Sequence, residues 1–172
     1  MTRAVESKSS LATERPVSGR LEAIWIAPSG GAATTSQVAV RVEPGVGLAG
    51  DRYAKGRGHW SGQGDCEVTL IEGETLDDLA ARGVRLADGA HRRNLVTRGV
   101  RLAALAGCRF TIGGAEFLYD RIRPPCRYLE SLTRTPGLRD ALGGVRAGIC
   151  ARIVRAGTIT VGDTISVRPP GA

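Results

Sequence analysis

The stretch GICARIVRAGTITVGDTISV, residues 148–167, decides the fold class of this chain. Apolar and polar residues alternate along ICARIV, TITV and TISV, which is the period of a β-strand with one buried face. Glycine interrupts the pattern at Gly157 and again at Gly162-Asp163, where tight turns favour these residue types. The stretch therefore predicts three short strands joined by tight turns.

The same organisation extends towards the N-terminus. RFTIGGAEF, residues 109–117, predicts a hairpin whose turn is Gly113-Gly114. Further strands are predicted at residues 21–27, 38–44, 67–71 and 92–97, and short helices near Thr75, at residues 127–132 and after Thr135-Pro136. Many short strands with few helices are typical of a mainly β fold, here a β-barrel with a few short peripheral helices.

Length and composition fit one such domain. The chain has 172 residues, of which 42% are hydrophobic, enough for one core and cramped for two. We expect residues 1–19 to form a disordered leader, residues 20–168 the domain and residues 169–172 a tail. The chain lacks an apolar run of about 18 residues and its N-terminal region lacks a signal peptide's apolar core, which predicts a cytoplasmic protein without a membrane partner.

Four cysteines stand far apart in the sequence, at Cys66, Cys108, Cys126 and Cys150. They form no CxxC pair, and only two histidines accompany them, which argues against a structural zinc site. A cytoplasmic location argues against a disulfide framework. Cys108 and Cys150 lie among apolar residues and are predicted to belong to the core.

Positive charge is concentrated in the centre of the chain. The 24 Lys and Arg residues exceed the 17 Asp and Glu residues by seven, and residues 91–134 alone hold nine arginines against three acids. Such a stretch favours an anionic ligand over the alternative, a solvated basic face. Aromatic residues make up only 4% of the chain, so few are available to stack on bases. A small phosphorylated ligand is therefore favoured over nucleic acid.

Cys126 is the thiol most suited to chemistry. Pro124 and Pro125 fix the backbone before it, Arg123 and Arg127 flank it, and a predicted helix begins just after it. Neighbouring cations and a helix N-terminus both favour the thiolate form of a cysteine. A thiolate can serve as a nucleophile, a persulfide carrier or a ligand for a soft metal. An inert buried cysteine is the alternative.

Other candidates lie in two segments. Arg92, Arg93 and Asn94 are predicted to enter a strand and offer donors for an anion. Gly50, Asp51 and Arg52 belong to a glycine-rich loop over residues 45–65, which also contains His59, a residue able to move protons. His91 is predicted to lie at the surface.

Five segments in this order resemble the MOSC domain, named for the C-terminal domain of molybdenum-cofactor sulfurase. They are GLAGDRYA (47–54), EVTLIEGETL (67–76), RRNLVTRGVRLAALAGCRFTIGGAEF (92–117), PPCRYLE (124–130) and VRAGICARIVRAGTITVGDTISV (145–167). No single segment is specific, but the ordered set at these spacings is, and the resemblance extends over about residues 20–168. One departure is Tyr53, where relatives often carry a histidine.

The resemblance implies a β-barrel that handles the molybdenum cofactor, a molybdopterin, or activated sulfur. By the same resemblance, Cys126 is the ligand of molybdenum and the key catalytic residue. Cofactor-binding roles are implied for Arg92, Arg93 and Asn94, for Gly50, Asp51 and Arg52, and for Arg123 and Arg127. Protein purified from a recombinant source can lack this cofactor.

Three functions stay open at this point. The first is molybdenum-dependent reduction of small N-hydroxylated compounds, with electrons from a partner protein, because the sequence resembles no flavin, haem or iron–sulfur site. The second is a sulfur carrier or sulfurtransferase, in which a pyridoxal-phosphate cysteine desulfurase supplies a persulfide on Cys126. The third is a non-catalytic module that binds the cofactor. A homodimer is compatible with each.

Overall fold

The computed structural model describes residues 18–59, 61–62 and 66–168. The predicted leader lies outside the described residues except for Ser18 and Gly19, which form part of the first strand, and the predicted tail lies outside them entirely. No helix within these ranges is long and apolar enough to cross a membrane.

Strands dominate the described part of the chain. They are β1 (Ser18–Ile26), β2 (Thr35–Gln37), β3 (Ala39–Glu43), β4 (Gly47–Leu48), β5 (Val68–Glu72), β6 (Leu95–Arg98), β7 (Arg109–Ile112), β8 (Ala115–Ile122), β9 (Ile149–Arg155), β10 (Gly157–Thr160) and β11 (Thr164–Arg168). The α-helices are α1 (Gly73–Ala81), α2 (Arg127–Thr133) and α3 (Leu138–Ala141), and 3-10 turns cover Leu102–Leu105 and Gly144–Ala147.

Seven of the described strands close into a barrel. Their order is β11-β7-β8-β9-β5-β6-β1, and β1 pairs with β11 to complete the ring. Neighbours are antiparallel except β5 and β6, which are parallel because helix α1 forms the crossover between them. A small sheet of order β10-β3-β4 lies beside the barrel. The predicted mainly β barrel with short peripheral helices is thereby confirmed.

Two cores flank the barrel wall. Leu70 and Leu95 point into the barrel core, where Phe110 stacks on Phe117 with ring centroids 5.4 Å apart. The next residues along β5 and β6 point outward into a second core beneath the three helices, because successive side chains of a strand face opposite sides. Each fully buried large apolar side chain contributes roughly 1.5–3 kcal/mol, so both faces of this wall stabilise the fold.

Two local predictions were wrong in their boundaries. Strand β6 begins at Leu95, so Arg92, Arg93 and Asn94 precede the strand instead of entering it. Helix α1 begins at Gly73 with Glu72 at its N-cap position, three residues before Thr75, the N-cap that the sequence predicts. A Cβ at residue 73 would lie 2.8 Å from Nη2 of Arg98, so a larger residue here would require the end of that side chain to shift.

The prediction that disulfides are absent was also wrong, because Cys66 and Cys150 are bonded, with their Cα atoms 5.6 Å apart. The two lie 84 residues apart in the sequence. They meet because Cys66 precedes β5 and Cys150 lies opposite Thr69 of that strand. Cys150 and Cys108 are both buried, as predicted. His91, predicted at the surface, is only 2% exposed because the segment before β6 packs beneath Trp25.

Candidate functional site

A cleft rich in arginine lies where the glycine-rich loop, the segment before β6 and the start of α2 meet. We call it the arginine cleft; its volume is about 380 Å³ including the part open to solvent. Its lining residues are Gly30, Arg52, Tyr53, His59, Arg92, Arg93, Arg123, Cys126, Tyr128 and Leu129. The cleft thus combines four guanidinium groups, one thiol and three aromatic rings.

Cys126 is held at one end of this cleft by the start of helix α2. Its backbone is extended at the N-cap position, and its carbonyl oxygen accepts hydrogen bonds from the amides of Leu129 and Glu130 at 3.1 and 3.4 Å. The buried Leu129 side chain anchors the helix in the second core, against which Cys126 packs on one side. The half-buried thiol therefore has a fixed position while one side faces the cleft.

Arg93 is a deeply buried cation of the cleft, at 6% exposure. Its Nε donates to the carbonyl of Ala147 at 3.0 Å, and its Nη2 donates to the carbonyl of Arg123 at 3.2 Å. Burial, and then the positive charge of Arg123, lower the pKa of Arg93 to about 10. The side chain still carries its charge at neutral pH, held in place by neutral carbonyl groups.

Arg92 and Arg123 complete, with Arg93, a group of three cations that have no carboxylate partner among the described residues. Nη1 of Arg92 donates to the carbonyl of Ala32 at 2.6 Å. Burial, and then the nearby Arg52, lower the pKa of Arg92. Within the described ranges, no carboxylate oxygen lies within 4.0 Å of the charged groups of Arg92, Arg93 or Arg123. Three close positive charges without such partners favour an anion from outside the protein.

Arg52, the fourth cation, is paired within the protein. Nη1 of Arg52 donates at 3.1 Å to the buried carboxylate of Asp51, which also accepts from the amides of Ala27 at 3.0 Å and Tyr53 at 3.2 Å. The guanidinium lies over the Tyr53 ring, 4.9 Å from its centroid. Nη2 of Arg52 donates to the carbonyl of Arg92 at 3.4 Å, which links the loop to the segment before β6.

The structure brings together five of the nine predicted site residues: Arg52, Arg92, Arg93, Arg123 and Cys126. The other four do not line the arginine cleft. Gly50 turns the chain with a positive φ of 83°, and Asp51 braces Arg52. Arg127 is exposed on helix α2, next to Cys126 in sequence but outside the cleft.

Asn94 supports the site from below. Its Oδ1 accepts from the amide and the hydroxyl of Thr69 at 3.2 and 2.9 Å, and its Nδ2 donates to the carbonyl of Trp25 at 3.2 Å. These bonds use the polar groups of the buried side chain to tie β1, β5 and β6 together at the edge of the cleft. These contacts indicate that Asn94 has a structural role and does not bind a ligand directly.

Sequence reasoning missed Tyr128 and Gly30. The Tyr128 ring stacks on His59 with centroids 3.9 Å apart and planes inclined by 4°, at the mouth of the cleft. A Cβ at Gly30 would lie 3.2 Å from the His59 amide nitrogen, so glycine lets this turn approach the loop closely. Tyr128 stands two residues after Cys126, and this closeness in sequence could have identified it as a site residue. The sequence around Gly30 carries no such signal, because the residues that Gly30 contacts are distant in sequence.

The donor set of the cleft is restricted. In the described part of the chain, no three His, Cys, Asp or Glu side chains are grouped to hold a metal ion. A metal at Cys126 would therefore need most of its ligands from a bound molecule. The cleft supplies one soft sulfur donor beside a strongly cationic wall.

Comparison with known proteins identifies the same family as the sequence motifs. The MOSC domain model matches residues 55–166, which are 112 of the 172 residues. Arg92, Arg93, Arg123 and Cys126 lie inside the matched range, whereas Gly50, Asp51 and Arg52 precede it. No curated protein matches the chain.

Three solved structures of bacterial proteins have a similar fold. The YuaD protein from Bacillus subtilis is 20% identical, with a TM-score of 0.72 over 89% of this chain and 97% of that one. YiiM from Geobacillus stearothermophilus is 18% identical, with a TM-score of 0.70 over 90% of this chain and 77% of that one. YiiM from Escherichia coli is 16% identical, with a TM-score of 0.61 over 89% and 71%. At these identities the likeness shows the fold alone.

Proposed function

The chain belongs to the MOSC domain family, which is associated with molybdenum-cofactor binding, and we propose that its arginine cleft binds that cofactor with Cys126 as the metal ligand. The reaction that we propose is the reduction of small N-hydroxylated compounds. This reaction consumes two electrons and two protons, releases water and leaves the amine. A partner protein would deliver the electrons.

The observation that carries this proposal is the charge of the cleft. Among the described residues, only Arg52 of its four guanidinium groups has a carboxylate partner, Asp51. The other three positive charges would suit a dianion such as a phosphate monoester. Buried arginines bind such groups through several charge-assisted hydrogen bonds.

The residues present fit a molybdopterin. The Cys126 thiolate is a soft ligand of the type that such a metal accepts, and Arg92, Arg93 and Arg123 would hold the phosphate of the pterin. When bound, the cofactor supplies the redox chemistry, while the protein supplies binding and orientation.

The chain's own side chains divide this work. Arg93 is locked by two carbonyls, so it offers a fixed charge without losing side-chain freedom on binding. Cys126 is fixed by α2, which sets the distance between the thiol and the arginines. His59 and Tyr128 stand at the mouth, where an entering substrate would meet their stacked rings.

Pterin content tests the binding step. The wild-type chain, Arg93→Gln and Arg127→Gln would be produced in cells that make the cofactor, and pterin per chain would be measured by fluorescence after oxidation. We expect Arg93→Gln to lose most of its pterin. We expect Arg127→Gln to match the wild type, because Arg127 is exposed outside the cleft. Equal pterin in all three proteins would contradict the assignment of the cleft.

Sulfur transfer is the second candidate, and the accessibility of Cys126 favours it. The half-buried thiol faces a cationic cleft that would stabilise a persulfide anion. A cysteine desulfurase would transfer a sulfane sulfur from L-cysteine to Cys126 and release alanine. Mass spectrometry after this incubation would show a gain of one sulfur on Cys126. A chain that gains this sulfur but binds no pterin would favour transfer over reduction.

A measurement of catalytic turnover distinguishes the third function, a non-catalytic binding module, from the reductase. Cofactor-loaded chain would be supplied with a chemical electron donor and an N-hydroxylated amine. Formation of the amine supports the reductase, whereas stable loading without amine supports a binding module.

A further inference from the structure

His91 is a buried imidazole directly beside the arginine cleft. It is 2% exposed, and its ring meets the edge of Trp25 at 83° with centroids 6.4 Å apart. Its Nδ1 accepts a hydrogen bond from the backbone amide of Arg93 at 3.1 Å. The ring therefore spans the residue between them, Arg92, and closes a tight turn by a side-chain contact.

Arg92 adopts an unusual backbone conformation inside this turn. Its φ of 60° lies in the left-handed region, which residues with a side chain avoid. Its amide donates to the carbonyl of Gly89 at 2.9 Å, and its side chain reaches the carbonyl of Ala32. Such a conformation persists only where the surroundings hold it, and it is often found at functional sites.

The protonation state of His91 suits the contact. Burial, followed by the charges of Arg93 and Arg92, lowers the pKa of His91 to about 3, so the ring is neutral at physiological pH. A neutral ring with its proton on Nε2 leaves Nδ1 free to accept the Arg93 amide. A charged ring would present N–H groups on both nitrogens and could not make this bond.

We propose that His91 is a positioning residue for the anion site: by accepting the Arg93 amide, its ring holds the turn that directs Arg92 and Arg93 into the cleft. The two guanidinium groups leave the backbone at consecutive residues. A relaxed φ at Arg92 would turn one of them away. His91 itself does not line the cleft and would touch no ligand.

This inference rests on the proposed function. Binding of inorganic phosphate to the cofactor-free chain tests the role of His91 and the existence of the anion site separately. Phosphate affinity would be measured by calorimetry, with Arg93→Gln as the variant that removes a ligand. His91→Phe keeps a planar ring against Trp25 without an acceptor. His91→Asn places an amide oxygen near the position of Nδ1. Thr97→Val, in buried β6 but away from the cleft, controls for lost stability.

We expect His91→Phe to weaken phosphate binding by about tenfold and His91→Asn to stay within about threefold of the wild type. Thr97→Val should bind like the wild type, although its melting temperature falls. Wild-type affinity in His91→Phe would overturn the positioning role and leave the anion site intact. Equal weakening in His91→Phe and Thr97→Val would also overturn it, because lost stability would then explain the effect.

If His91→Phe does not fold, His91→Gln replaces it, because its amide oxygen lies one methylene too far out. Equal phosphate binding in the Asn variant, the Gln variant and the wild type would overturn the inference. A wild-type chain that binds phosphate no better than Arg93→Gln would overturn the anion site, and with it the proposed function.

Discussion

Reduction of the Cys66–Cys150 disulfide is predicted to destabilise the chain markedly. The bond closes a loop of 84 residues between the start of β5 and strand β9. In the chain-entropy treatment a loop of this length is worth about 4.5 kcal/mol, whereas measured values are typically 2–4 kcal/mol. We therefore expect the free energy of unfolding to fall by about 2–4 kcal/mol on reduction, and the melting temperature by roughly 5–15 °C.

The assay is guanidinium unfolding with and without a phosphine reductant, beside a Cys66→Ala/Cys150→Ala variant. The reductant should destabilise the wild type and leave the double variant unchanged. The free thiols Cys108 and Cys126 are present in both proteins, so any effect of the reductant on them is the same in both. Equal unfolding curves for oxidised and reduced wild type would refute the reasoning, as would a peptide map without the Cys66–Cys150 cross-link.

Three further predictions concern buried groups around the cleft. Asn94→Ala leaves the hydroxyl and amide of Thr69 without their acceptor and should cost about 1–3 kcal/mol of unfolding free energy, measured by urea unfolding. His91 has a folded pKa of about 3, below its usual 6.5, so the unfolded chain binds the proton first and stability falls as pH drops from about 6.5 towards 3, at about 1.4 kcal/mol per pH unit. His91→Asn should lack this part of the slope in unfolding curves at pH 7, 6 and 5, and an identical slope would contradict the burial of a neutral ring. Gly148→Ala places a Cβ 2.0 Å from the carbonyl of Leu70 at a φ of 90°, so we expect loss of the folded state in circular dichroism.

The sequence predicted the fold because its signals are local. Alternation and glycine turns, such as Gly113-Gly114 between β7 and β8, depend only on neighbouring residues. The closure of β1 on β11 joins the two ends of the described chain. The many short strands predicted a barrel, but no local signal identified the two strands that close it. The disulfide was missed for the same reason, because it depends on the pairing of β5 with β9.

The site was predicted where sequence neighbours are also neighbours in space. Arg123 and Cys126 are close in both senses, so the cluster around the thiol was found. Arg127 shows the limit of this reasoning, because it is adjacent to Cys126 but is exposed on α2. The sequence pattern did not predict the burial of His91. This residue lies in an irregular segment without hydrophobic periodicity, and it is buried by Trp25 of a different strand, β1.

Molybdenum content shows whether Cys126 holds the metal of the proposed cofactor. Wild type, Cys126→Ser and Cys108→Ser would be purified from cells that make the cofactor, and molybdenum per chain would be measured by mass spectrometry. Cys108 is a free cysteine outside the cleft and serves as the matched control. We expect near-stoichiometric metal in the wild type and in Cys108→Ser, and little in Cys126→Ser. Equal molybdenum in all three proteins, or none in the wild type, would contradict it.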